Sequence, residues 1–220
     1  MTKFRDPPDD PRAPVAGLQL SDVLDLRAYE RVREDYRRQI IEHKRHRRIA
    51  LGPILTLLFE SFDTVRFQVH EMARAERIVT DEGIEGELDV YNRLLPVRGE
   101  LSATLFIELT TDEDLREWLP KLVGIERAIG FEVQREGGPR LVMAEPEATH
   151  AEALTRESIT ASVHYIRFRF DREERRAFGA ARPALVSVHP EYEARVELTA
   201  ETQAELLAEL EGMSEPLPFG

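Results

Sequence analysis

FEVQREGGPRLVM, residues 131–143, is the stretch that decides the fold. Phe131 and Val133 alternate with Glu132 and Gln134, the two-residue period of a strand with one buried face. Glu136-Gly137-Gly138-Pro139 interrupts that run with residues suited to a turn, and 140–143 resumes an extended pattern. Strands joined by so short a connection must be antiparallel, because a parallel pair needs a crossover of roughly a dozen residues or more.

Outward from this hairpin, LSATLFIEL (101–109) and SVHYIRFRF (162–170) read as strands. The second alternates clearly and sets His164, Ile166, Phe168 and Phe170 on one face. Residues 185–188 and 192–198 flank His189-Pro190 as a further strand pair, and IALGPILTLLF (49–59) reads as one apolar strand with a bulge or edge at Gly52-Pro53. Helices interleave with these strands. The first is expected over 26–48, with Tyr29, Val32, Tyr36 and Ile40 at helical spacing. The second opens at Asp63 or Thr64 and runs to about Val79; Gly83 and Gly86 mark a loop before a short helix or turn at 88–94. Thr111 with Asp112, Glu113 and Asp114 starts a helix to Leu122, Asp171 with Glu174 caps a short one, and Thr199 caps a closing helix to Leu210. Residues 145–158 carry no clear pattern. The fold class expected is α+β, a mostly antiparallel sheet with helices packed on it, preceded by a long N-terminal helix. Residues 1–19, rich in proline, are expected as a flexible tail, 20–212 as a single domain and 213–220 as a C-terminal tail.

Composition narrows the chemistry. The 220 residues are 42% hydrophobic and 33% charged, values of an ordinary globular core. There is no cysteine, which excludes disulfides, thiolate zinc and cysteine-ligated clusters. A divalent metal would have to be held by His and carboxylate groups. The net charge of −12 argues against nonspecific nucleic-acid binding, where phosphate neutralisation dominates. No run approaches the roughly 18 apolar residues of a membrane span, and MTKFRDPPDD lacks a signal segment. A cytoplasmic protein with neither membrane nor nucleic acid as partner is expected. Dinucleotide, phosphate-loop, zinc-protease, serine-elbow and EF-hand motifs are all missing.

One polar constellation stands out. Wound as a helix, the second helical segment lines up Val65, Val69, Met72 and Val79, with Glu76 in the middle of that face and Gln68 at its shoulder. A buried carboxylate needs a partner. The stripe of the first helix continues into His43 and Arg47; His164 points inward from its strand, and Glu60 ends the apolar strand between the two helices. In the functional reading, Glu60, Glu76, His43 and His164 hold a metal and Arg47, Gln68, Glu71 and Arg74 line a ligand site. In the structural reading, Arg47 and Glu76 form a buried ion pair with satisfied histidines around it, the commoner role of core polar groups. Glu76 as a general base of raised pKa would make a hydrolase. Glu71, beside Phe67 and Ile78, is placed to face a groove or second subunit or, as is commoner, simply solvent. Arg66, His70, Arg74 and Arg77 form a basic stripe suited to an acidic partner or a phosphate, or to plain solvation, and Tyr165, Arg167 and Arg169 an exposed sheet face; a protein–protein adaptor would dock on its partner through the stripe or through Tyr165 and Arg167.

The segments EHKRHRRIALGPILTLLFE (42–60), TVRFQVHEMARAERI (64–78), ELDVYNRLLP (87–96), LSATLFIEL and SVHYIRF, in this order, resemble a bacterial family catalogued as domain of unknown function 3501. The resemblance spans about residues 20 to 211. It implies a gene neighbourhood with rubrerythrin-like proteins and an iron–sulfur oxidoreductase, and so an accessory role in oxidative-stress or iron redox chemistry with such a protein as partner; an adaptor would dock on that oxidoreductase. The family's recurring polar positions match Arg47, Arg48, Glu60, Gln68, Glu71, Arg74, Glu76, Glu87 and His164.

Overall fold

The structure is a computed structural model and describes residues 17–147 and 159–218. Eight strands form one sheet: β1 (Arg48–Leu51), β2 (Leu55–Phe59), β3 (Glu100–Ile107), β4 (Ile129–Arg135), β5 (Gly138–Pro146), β6 (Val163–Arg169), β7 (Ala184–His189) and β8 (Tyr192–Glu197). Their order is β1-β2-β3-β6-β5-β4-β7-β8, and every neighbouring pair is antiparallel. The hairpin at 131–143 is the β4–β5 pair, with Phe131 opposite Val142.

The expected single strand over 49–59 is instead the hairpin β1–β2, with Leu51 opposite Leu55. Gly52 turns it at φ +71, and a Cβ there would collide with the hydroxyl of Tyr192. That hydroxyl donates to Leu51 O at 2.8 Å and accepts from Ile54 N at 3.3 Å. It stitches β8 to the β1–β2 turn, so the two edges meet at one end and the sheet curls into a near-barrel.

Inward side chains fill the barrel. Phe59, Phe131, Phe168, Phe170 and Phe178 make a ring cluster with centroids 4.9 to 6.0 Å apart, the spacing aromatic pairs prefer. Leu57, Leu105, Ile166 and Leu185 complete it. Helices α5 (Arg172–Ala180) and α6 (Ala200–Glu211) plug one mouth through Phe178, Leu206 and Leu210. Helix α4 (Asp112–Lys121) and the turn after it plug the other through Trp118, Leu122 and Ile125.

Helices α1 (Leu26–Lys44), α2 (Phe62–Glu76) and α3 (Asp81–Tyr91) lie outside the barrel. Val65, Val69 and Leu88 pack with Leu94, Leu95 and Tyr165, so the expected exposed face of β6 is covered here. Tyr29, Tyr36 and Ile40 join α1 to Phe67 of α2 and to Leu217. α1 is 19 residues long and stops at Lys44, short of the long helix expected. α3 runs through Gly83 and Gly86, where a loop was expected. The Thr80 cap, Asp81 and Glu82 in the first turn and burial of Leu88 together outweigh the roughly 1 kcal/mol that each glycine costs a helix.

The chain enters the domain at Leu18, which is buried; its N–H and C=O bond the Asn92 side chain at 2.8 and 3.0 Å. Residues 1–16 of the expected N-terminal tail, 148–158 and 219–220 lie outside the described residues.

Candidate functional site

Helix α2 organises the polar groups. Ser61 caps it, accepting from Thr64 N, and the helix ends at Glu76 because Arg77 adopts left-handed geometry at φ +56. Ile78 N–H then returns to Ala73 O at 2.9 Å, a helix stop that turns Val79 away from the helical face. Its buried side is therefore Asp63, Thr64, Val65, Arg66, Val69, His70 and Ala73. Glu76, expected in the middle of the apolar face, is exposed, and Val79 is 77% exposed. Val65 and Val69 are buried as expected, but the buried side is turned from the expected face toward Arg66, His70 and Ala73, which leaves Met72 half-buried and Glu76 outside it. The expected meeting of Glu76 with His43 and Arg47 does not occur.

Arg47 finds other partners. It is 1% exposed and its Nη2 pairs with Glu209 at 2.9 Å and Glu205 at 3.4 Å, both on α6; its Nε has no partner. His43 bonds Ser61 Oγ through Nε2 at 2.9 Å. Burial, reinforced by the Arg47 charge, holds its pKa down at about 4. Beside them, Arg66 pairs with Asp63 at 2.7 Å, donates to Tyr36 Oη at 3.0 Å and to Leu217 O at 2.6 Å, while Leu217 N–H donates back to Asp63 at 3.0 Å. Burial keeps the Asp63 carboxyl above its ordinary pKa even so. This cluster ties the C-terminal segment onto the first two helices.

Glu60, 2% exposed, accepts from Thr64 at 2.5 Å, Thr104 at 2.6 Å and Gln68 at 3.0 Å, all neutral donors. Burial lowers the pKa of nearby Lys44, and Glu60 opposes that shift. His164 points into the barrel as expected and is 3% exposed, but it bonds Thr160 Oγ1 and Ala161 O, each at 2.9 Å. Among the described residues, no group of three His, Asp or Glu side chains converges as a metal-holding set. The structure brings Glu60 together with Gln68; it does not bring Glu60, Glu76, His43 and His164 together.

Glu71 faces α1. Arg33 grips its two oxygens at 2.8 Å each and Tyr29 Oη donates at 2.7 Å. The Arg33 bonds hold its pKa below the ordinary carboxylate value. Arg74 pairs with Glu30 at 2.6 Å. The expected basic stripe is thus largely the α1 packing face: Arg66 and His70 are 5% and 2% exposed. His70 stacks on Tyr29 at 4.5 Å, its Nδ1 bonding Arg66 O at 2.8 Å and its Nε2 accepting from Leu24 N–H at 2.9 Å. On the sheet, Arg167 is drawn to Glu100 at 2.9 Å and to the carbonyls of Arg93 and Leu95.

The family model described as protein of unknown function (DUF3501) matches residues 17–210. The chain belongs to that family. A crystal structure of a protein of unknown function from Burkholderia pseudomallei K96243 superposes on this DUF3501 chain with a TM-score of 0.77 at 34% identity, covering 88% of this chain and 98% of that one. No curated protein matches.

In this DUF3501 chain, sequence periodicity missed the residues that answer the polar groups it found. Arg33 falls one turn from Tyr29 on α1, a spacing that marks it as Glu71's partner once α1 and α2 are known to pack. Glu205 and Glu209 sit one turn apart on α6, 158 and 162 residues from Arg47, and nothing local announces them.

Proposed function

We propose that this chain is a non-catalytic accessory protein of an oxidative-stress or iron redox system, whose buried ion pairs serve the fold and whose partner, an oxidoreductase or rubrerythrin-like protein, docks on the outer face of β5-β4-β7-β8. The observation that carries the reading is where the charges go. Arg47, Arg66 and Glu71 are each closed by groups of the same chain, whereas Leu141 and Val188 face outward 40% and 47% exposed. They share a trough with Pro139, Val186, Glu132 and Arg195. An apolar centre rimmed by charges is the anatomy of a docking surface. Without cysteine, electron transfer in such a system falls to the partner.

The test is titration with a purified iron–sulfur oxidoreductase, and with a rubrerythrin-like protein, of the kind the family resemblance implies as partner. Leu141→Glu with Val188→Glu should weaken binding at least about tenfold, with an unchanged thermal midpoint because both residues are exposed. Unchanged affinity in the double variant, or no binding by the natural protein, would contradict the reading.

A second reading is favoured by Glu60, a buried carboxylate whose donors are all neutral. Lys44 lies within electrostatic reach of Glu60, and a small cationic ligand or a divalent metal there would add a direct positive partner to its neutral donors. In that case protein purified without an affinity tag binds Fe(II), Mn(II) or Zn(II), or retains an organic cation, and Glu60→Gln stays folded but loses it. Natural protein that takes up none of these ions and carries no organic cation would remove this reading.

A further inference from the structure

A cleft of about 350 Å³ opens among the helices, remote in its chemistry from the trough and independent of the docking reading. Its walls are Leu20, Val23 and Leu24 on the incoming chain, Ala73 near the end of α2, and Ile78 and Ile84 beyond it. Both walls are fixed by bonds. Leu24 N–H is held by His70 and Leu18 by the Asn92 amide. On the far side the left-handed Arg77 turns Ile78 and Val79 toward the opening. An apolar cleft of this size with pinned walls is at the lower end of the range that takes small molecules, and too small for a helix of a partner protein.

The floor supplies no proton or metal ligand. His70 uses one nitrogen on Arg66 O and the other on Leu24 N–H, and Tyr29 directs its hydroxyl to Glu71. Recognition there is by apolar contact. The mouth carries Asp25, whose carboxylate caps α1 by accepting from Arg27 and Ala28 N–H, together with Asp81 and the Arg27 side chain, on a chain whose net charge is −12. That balance disfavours an anionic head group. We infer that this cleft binds one small apolar molecule, chain or ring, whose head group is uncharged or cationic.

Three probes with the same eight-carbon tail test this by calorimetry on the full chain: octanol, octylammonium and octanoate. Octanol and octylammonium should bind one to one, and octanoate at least about tenfold more weakly. Ala73→Phe, which fills the cleft, should weaken octanol binding at least about tenfold, while Ala75→Phe on the exposed side of α2 leaves it unchanged. Should Ala73→Phe fail to fold by circular dichroism, Val79→Asp serves instead, since its side chain is exposed and it sets a charge at the rim. Octanoate binding as well as octanol, no saturable octanol binding, or full octanol affinity in a folded cleft variant would overturn the inference.

Discussion

The imidazole of His70 is held neutral by what surrounds it: Nε2 must accept from Leu24 N–H, and a protonated ring has no lone pair to offer there. Burial lowers its pKa to about 4, as it does for His43. The folded state therefore favours the neutral ring. Its stabilisation is complete above the ordinary histidine pKa of about 6.5 and is lost as pH falls from there toward 4, up to about 3 kcal/mol for a shift of this size. Urea unfolding should give a flat midpoint from pH 8 to 6.5 and a decline below it, less steep in His70→Gln. An equal decline in that variant would assign the effect to other groups, His43 and the carboxylates among them. Glu71 belongs to the same scale. Arg33→Ala removes a two-bond grip on a part-exposed carboxylate and should cost about 1 kcal/mol, measured by denaturant unfolding.

At the scale of elements, the end of α2 is the instructive one. Arg77 carries a side chain in a conformation that costs an L-residue about 1 kcal/mol or more, so Arg77→Gly should raise stability by roughly 0.5–1 kcal/mol in thermal unfolding. Asn92→Ala should free Leu18 and lower stability by about 1–2 kcal/mol, with faster amide exchange at Leu18 and Leu24. The strands at 101–109, 131–143 and 162–170 were legible because two-residue alternation is local. The turn at Gly52 was not, since what forbids a side chain there is Tyr192, 140 residues on, and an apolar run reads alike as one strand or two. The α2 face was legible at Val65 and Val69 but not at Arg66 and His70, whose polarity hid that they pack against α1. A helix ended by a left-handed arginine leaves no glycine to signal the stop, so Val79 was misplaced, and Glu76 fell off the buried side once that side turned toward α1.

Across the whole molecule, the buried charges join parts of the chain far apart in sequence. Arg47, in the turn between α1 and β1, is answered by Glu205 and Glu209 on the closing helix, and Arg66 with Asp63 grips the backbone of Leu217. The barrel is filled by apolar side chains, while the helices outside it are fastened to each other and to the C-terminal segment by ions and hydrogen bonds. Such pairs add little net energy over apolar substitutes, yet removal of one member leaves the other without compensation. The account rests on these charges being structural, and a double-mutant cycle on Arg47 and Glu209 by urea unfolding tests it most directly. Arg47→Met and Glu209→Gln should each cost about 2–3 kcal/mol and the double variant clearly less than their sum, with a coupling of about 1–3 kcal/mol. Single variants as stable as the natural protein, or strictly additive losses, would contradict it.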